Sequence, residues 1–255
     1  DTSLSTPTFL VLSGAASVAD YQAALRNVQY SSTSEDPASG TRTVGFLVFD
    51  DHFATALAFK GVNVTAVNDA PTVTTSPGDT SYTENGAPVV VDPNLTVGDV
   101  DSPTIEGAWI VTSQSGDVLS WTPPAGSTIT VHPNSTPGFL ALVGPASAAD
   151  YEAALRNVHF AAPGENPVAG PRTITYYVFD TQLTPSTAAT KTVNVIAVND
   201  APVAADGVAG TTTEDAAFSG AVPAGTDVDS VSLTYELVPN SAVNGTITSF
   251  DSATG

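Results

Sequence analysis

The 255-residue chain has no cysteine, which excludes disulfides and thiolate metal sites. It has no methionine either, so the expectation is a mature product or a piece of something longer. Positive charge is scarce: six Lys and Arg stand against 26 Asp and Glu, a net charge of −20. A nucleic-acid duplex or an anionic membrane surface repels such a chain, so neither is an expected partner. No apolar run reaches the roughly 18 residues a membrane span needs, and nothing at Asp1 reads as a signal peptide; no membrane insertion is expected. His52, His132 and His159 are scattered and form no H-x-x-H, which argues against zinc. No G-x-S-x-G, P-loop or dinucleotide fingerprint occurs. The obvious carboxylate pairs lie in junction motifs, not in a recognisable cleft. The expectation is a protein that is not an enzyme.

What is present is repetition. Ala19-Asp20-Tyr21-Gln22-Ala23-Ala24-Leu25-Arg26-Asn27-Val28 returns as Ala149-Asp150-Tyr151-Glu152-Ala153-Ala154-Leu155-Arg156-Asn157-Val158, and Val48-Phe49-Asp50 returns as Val178-Phe179-Asp180. Between Thr6–Asp50 and Thr136–Asp180, 25 of 45 positions are identical at a fixed offset of 130, too long a period for a solenoid, so the repeat is a tandem domain. One residue later in register, Val67-Asn68-Asp69-Ala70-Pro71 returns as Val198-Asn199-Asp200-Ala201-Pro202. Thr83-Glu84-Asn85 and Gly98-Asp99-Val100-Asp101-Ser102 are echoed by Thr213-Glu214-Asp215 and Thr226-Asp227-Val228-Asp229-Ser230. The chain therefore divides into residues 1–70, the back part of a unit; 71–201, a complete unit; and 202–255, the front part of another. The two ends fall at nearly the same phase of the repeat. Either the chain is a window on a long array, or it is a fibre subunit whose front fragment pairs with the back fragment of the next copy.

Runs such as 172–180, 192–198, 109–112, 118–122, 127–131 and 139–143 are rich in β-branched and aromatic residues, and 20 Gly and 19 Pro punctuate them as turns require. One short helix interrupts each repeat, at 20–28 and 150–158, with Asp20 and Asp150 as N-caps. Tyr21 and Leu25, at i and i+4, share one face that serves as a core plug. The fold class expected is all-β, as tandem sandwiches with one short helix per repeat. Trp109 and Trp121 are expected in the core, with a sugar-stacking platform as the alternative. The repeated positions of Arg26, Arg42, Arg156 and Arg172 point to internal ion pairs or covered strand edges. Asn63, Asn94 and Asn244 open Asn-x-Thr sequons.

The chemistry lies in the acidic motifs. Asp99-Val100-Asp101 and Asp227-Val228-Asp229 each hold two carboxylates close enough to repel unless a cation sits between them or one takes a proton. Calcium, which takes six to eight oxygens at roughly 2.3–2.6 Å, suits such a site. Val-Asn-Asp-Ala-Pro adds a carboxylate, a side-chain amide and backbone carbonyls, and its Pro stiffens the linker.

An N-D-A-P junction, an intervening Glu and a downstream D-x-D, twice in one chain, resemble the cadherin-like superfamily. The resemblance implies calcium between successive domains. One junction would use Asn68 and Asp69 with Asp99, Asp101 and Asp180. The next would use Asn199 and Asp200 with Asp227, Asp229 and Glu84. Asp50 would serve a junction upstream and Glu214 one downstream. The L-D-R-E motif is absent, the linker reads N-D-A-P, and Phe-Asp replaces A-x-D, so fewer ions per junction are implied than in cadherins. The A-D-Y-x-A-A-L-R-N-V block with its V-F-D strand and V-N-D-A-P exit is similar to the chondroitin-sulfate-proteoglycan-type repeats of large bacterial surface proteins. Residues 213–255, through Asn244-Gly-Thr246 and Ser252–Gly255, are similar to the VCBS-type repeat. These resemblances imply Ig/cadherin-like sandwiches in a secreted adhesin or surface filament. The expected function is a calcium-rigidified extracellular extender. A head-to-tail fibre or sheath subunit is the alternative, as is a module binding a cell-surface glycan or protein. Expected partners are neighbouring repeats or further copies of the chain.

Overall fold

Along residues 170–180 the side chains of Arg172, Ile174, Tyr176, Val178 and Asp180 are buried, while those between them are exposed or half-buried. That period of two makes this segment the spine of a sheet. The computed structural model describes residues 5–207, 210–239 and 245–253 and divides into two compact units, Asp1–Val67 and Asn68–Gly255. Asp1, Asn244 and Gly255 lie outside the described residues.

The first unit consists of α1 (Val18–Arg26) and a hairpin of β1 (Gly40–Phe49) and β2 (Thr55–Val64). The second begins with β3 (Thr72–Thr74), β4 (Thr80–Thr83), β5 (Val89–Val90), β6 (Thr96–Gly98), β7 (Ile105–Thr112) and β8 (Val118–Ser120). It continues with β9 (Thr130–Val131), β10 (Phe139–Ala146), α2 (Ala148–Leu155), β11 (His159–Ala161), β12 (Gly170–Asp180) and β13 (Ala189–Ile196). Six strands form one sheet in the order β4-β13-β12-β7-β10-β9; β5-β11-β8 form another, and β3 pairs with β6. All pairings are antiparallel except β4 with β13, where an early edge strand runs parallel to the last one. The architecture is an all-β, immunoglobulin-like sandwich with one short helix in each unit.

One core joins the two sheets of the second unit. Ile105, Ile110, Leu142, Ile174, Tyr176 and Val193 meet Val91, Leu119, Trp121 and Phe160, all buried. The helix α2 closes it with Tyr151 and Leu155, both fully buried. Each such side chain stabilises the fold by about 1.5–3 kcal/mol. The Tyr151 hydroxyl donates to the carbonyl of Gly144 at 2.9 Å. Gly144 itself has φ +124°, and a Cβ there would lie 2.3 Å from the Thr128 carbonyl, so no other residue fits.

Two sequence expectations need correction. The helices start two residues earlier than expected, and Ser17 and Ser147 are the N-caps; Asp20 and Asp150 are the N3 partners of reciprocal capping boxes. Trp109 is not a core residue. It stands on the outer face of β7, 47% exposed, edge-on to Phe139 and Phe179. Trp121 does pack in the core.

Two repeated arginines do make internal ion pairs. Arg172 meets Asp117 at 2.9 Å with both side chains buried, and Arg156 meets Glu152 at 2.8 Å one helical turn away. Arg42 and Arg172 also donate to equivalent carbonyls, those of Ala38 and Val168.

The first unit repeats the back half of the second in local detail. Its Tyr21 hydroxyl donates to Gly14 as Tyr151 does to Gly144. Phe53 and Leu183, at equivalent hairpin positions, both have φ near +60°. Yet α1 has no buried residue, and no described residue of the first unit is fully buried.

Candidate functional site

The D-x-D motifs fold locally as Asx turns. The Oδ1 of Asp99 accepts the amides of Asp101 (3.1 Å) and Ser102 (2.9 Å). The Oδ1 of Asp227 accepts those of Asp229 (2.9 Å) and Ser230 (2.7 Å). Each turn then binds its linker. Asp101 Oδ2 accepts the Asp69 amide at 2.9 Å, and Asp229 Oδ2 accepts the Asp200 amide at 2.6 Å. In both linkers the asparagine amide donates to the following carbonyl, Asn68 to Asp69 and Asn199 to Asp200. The same motif has built the same geometry twice.

At the first centre Asp180 is fully buried at the end of β12. Its Oδ1 accepts the amides of Gln182 (2.8 Å) and Thr184 (2.7 Å), which closes the β12–β13 turn. Its Oδ2 accepts from Asn68 Nδ2 at 2.6 Å. Burial works against the charge, but the bonds from Asn68, Thr184 and Gln182 outweigh it and hold this carboxyl below its ordinary value of 3.8. Asp180 thus clamps the linker to the sandwich. At Asp99 the balance reverses: burial, with the neighbouring Asp101 carboxylate adding to it, pushes the carboxyl up.

At the second centre Glu84, buried just beyond β4, accepts the Val198 amide of the linker through Oε2 at 2.7 Å. Asp200 sits among carboxylates. Its desolvation, then Asp229, Glu165, Glu84 and Asp227, push its carboxyl up. Glu165 was missed by the sequence reading. It lies in the β11–β12 loop, where Asn85 donates to it at 3.1 Å, and the adjacent Asn166 donates to the Val228 carbonyl. Its signal was available, since Glu35 occupies the equivalent place in the first repeat.

Five buried side-chain polar atoms among the described residues lack a hydrogen-bond partner, and four are carboxylate oxygens of these two centres: Asp99 Oδ2, Asp101 Oδ1, Glu84 Oε1 and Asp200 Oδ2. A buried carboxylate oxygen with nothing to accept is costly, and a cation is the usual remedy. The fit is incomplete in one respect. Among the described residues, the only three acidic or histidine side chains with ligand atoms mutually within 4.8 Å are Asp50, Asp51 and His52, all exposed on the first unit. Each junction centre therefore offers at most two carboxylates at one point. Amide and backbone carbonyls and water must complete any calcium shell.

No protein-family model matches the chain, and no curated protein matches it. Among solved structures, the fibronectin(III)-like modules of Clostridium thermocellum CbhA are similar to it, at 13% identity and a TM-score of 0.28 over 63% of this chain. The match spans 65% of that chain, just under two thirds of its length. At that score the likeness decides nothing about fold or function; the strand order carries the fold. No described helix is long and apolar enough to cross a membrane.

Proposed function

We propose that this chain is a non-enzymatic, extracellular segment of a bacterial surface protein, a cadherin-like spacer whose linkers are stiffened by calcium. The observation that supports this reading is the set of four orphaned carboxylate oxygens, all beside the two N-D-A-P linkers. Asp99 and Asp101 would supply the two carboxylates for one ion, with carbonyl oxygens of Asn68 and Asp69 completing it and Asp180 positioning Asn68. Glu84 and Asp200 would supply those for another, with Asn199 in the linker, Asp227 and Asp229 forming the turn beside it and Glu165 adding charge. Calcium draws each linker against the turn it already touches, which restrains bending at the junction. With a Kd of about 10⁻⁴ M and calcium near about 10⁻² M, each ion adds about 2.7 kcal/mol to the folded state. Repeats of the chondroitin-sulfate-proteoglycan and VCBS types in secreted adhesins fit this role, with neighbouring repeats as partners. The test is a calcium titration followed by Trp fluorescence and small-angle scattering. Saturable, magnesium-resistant binding with a longer, narrower particle supports the spacer; no binding refutes it.

One observation favours a second reading, a carbohydrate-binding module: Trp109 presents a half-exposed ring flanked by Phe139 and Phe179. A glycan-array signal that Trp109→Ala abolishes would select it.

A further inference from the structure

One inward position of β13 carries a charge. Along Ala189–Ile196 the buried side chains are Lys191, Val193 and Val195, so a lysine stands in the core row. The chain's two lysines hold the same position of the repeat: Lys191 pairs with Ile174 across its ladder as Lys60 pairs with Val44 across the other. Asp92, fully buried in the connection between β5 and β6, meets Lys191 with Oδ2 3.9 Å from Nζ. Val91, Ile174 and Val193, next to these two along the chain or across the ladder, are fully buried too. At 3.9 Å the pair makes no direct hydrogen bond, and two charges taken out of water recover little of their hydration that way.

Ser76 stands between the two charges. Its Oγ accepts from Lys191 Nζ at 2.9 Å and donates to Asp92 Oδ1 at 2.6 Å, and its carbonyl accepts a second bond from Nζ at 3.0 Å. Its amide donates to Asp92 Oδ2 at 2.7 Å, and the Asn94 amide donates to Oδ1 at 3.1 Å. The Ser76 hydroxyl is therefore a continuous path for a proton from ammonium to carboxylate. One such transfer leaves an amine beside a carboxylic acid, the uncharged form that burial favours in both groups. The Tyr176 hydroxyl is fully buried without a hydrogen-bond partner among the described residues. Burial, and after it the Asp92 charge, push its pKa up, which puts an unused polar group beside the same carboxylate.

We propose that Lys191 and Asp92 condense to an amide, a covalent cross-link inside the sandwich. A proton passes from Nζ through Ser76 Oγ to Asp92 Oδ1. The Nζ lone pair attacks Cγ, and Oδ2 takes up the negative charge against the Ser76 amide that already donates to it. Nζ gives a second proton to Oδ1 by the same hydroxyl, the Cγ–Oδ1 bond breaks, and Oδ1 leaves as water. One C–N bond forms, one C–O bond breaks and no other reactant enters. The flexible four-carbon stem of the lysine closes the remaining gap, and holding both groups in one pocket replaces the activation that the free groups would need. The Tyr176 hydroxyl is placed to bond the departing water. Exclusion of water from the pocket then protects the amide from hydrolysis. The bond fastens the last strand of the sandwich to the segment between β5 and β6, so a pull along the chain meets a covalent link there as well as ladders of hydrogen bonds. It uses none of the linker carboxylates and stands apart from calcium.

The test is the intact mass of the folded full chain, denatured only at injection. The expected mass is one water below that of the sequence, and a protease digest should yield a branched peptide that joins Lys191 to Asp92. Lys191→Met and Asp92→Ala should each restore the full sequence mass. Ser76→Ala should slow formation of the bond by about 100-fold or more, read as the bridged fraction against time after refolding. Trp109 and Trp121 lie in the same unit, and their near-ultraviolet signal shows that this variant is folded while still unbridged. Three results overturn the proposal: the full sequence mass in folded protein after prolonged incubation, a loss of water that persists in Lys191→Met, or a loss that maps to a cyclised aspartate within one unbranched peptide.

Discussion

Asp99→Asn should change sign with calcium. The asparagine carbonyl can keep both bonds of the Asx turn, from Asp101 and Ser102 at 3.1 and 2.9 Å. What it removes is the charge, and with it a buried oxygen that accepts nothing. Asp101 Oδ1 is also without a donor, and the new amide can provide one. Leaving a buried acceptor unsatisfied costs about 1–3 kcal/mol, so without calcium the variant should be more stable by about 1 kcal/mol. That raises the second unit's Tm by about 2–4 °C. With calcium at about 100 times Kd, the wild type gains about 2.7 kcal/mol that the variant largely forgoes. The order then inverts, and the variant melts about 3–7 °C lower. Trp fluorescence reports this directly, because both tryptophans lie in the second unit. An equal loss of stability in chelator and in calcium would refute the reasoning and reduce Asp99 to a turn cap.

Other substitutions test the surroundings. Leu155→Ala should cost about 2–5 kcal/mol in the Trp-monitored unfolding of the second unit. Leu25→Ala, its half-buried counterpart, should cost under about 1 kcal/mol in amide-exchange protection of α1. Asp117→Asn strands the buried Arg172 guanidinium and should cost about 3–5 kcal/mol, while Asp117→Leu with Arg172→Met should be near neutral by urea denaturation. Burial, outweighing Arg172, holds the Asp117 carboxyl above 3.8. Its contribution is therefore full below pH 3.8 and declines as pH rises through the elevated folded value, a slope that disappears in the double variant. Glu165→Gln should weaken calcium binding at the Asp200 centre and leave the Asp99 centre unchanged, as separate steps in calorimetry would register.

Much of the fold was legible because its main strands are long apolar and aromatic runs set between Gly and Pro turns. Residues 139–143 and 172–180 read as strands by their apolar, β-branched and aromatic content and form β10 and β12. The two- and three-residue strands β3, β5 and β6 carry no such pattern; pairing partners alone define them. The caps were misread because Asp20 and Asp150 stand in for the usual Glu at N3, which hid the serines three residues earlier. Trp109 was placed inside because alternation gives two faces and does not say which one meets water. At the acidic centres the spacing was readable. That Asp180 is already saturated by Asn68 and its own turn was not, since those bonds join residues 112 positions apart. The half-burial of Leu25, Val44 and Phe46 was likewise not readable, because their sequence matches that of the fully buried Leu155, Ile174 and Tyr176.

The central claim is that calcium binds at the linker carboxylates. The most direct measurement is the Tm of the second unit in calcium, magnesium and added sodium at matched ionic strength. The account predicts a rise of about 5–11 °C per occupied centre in calcium alone, partly lost in Asp99→Asn with Asp101→Asn. An equal rise in magnesium or sodium, or none in calcium, would contradict it and leave the acidic motifs as turn caps on a highly charged surface.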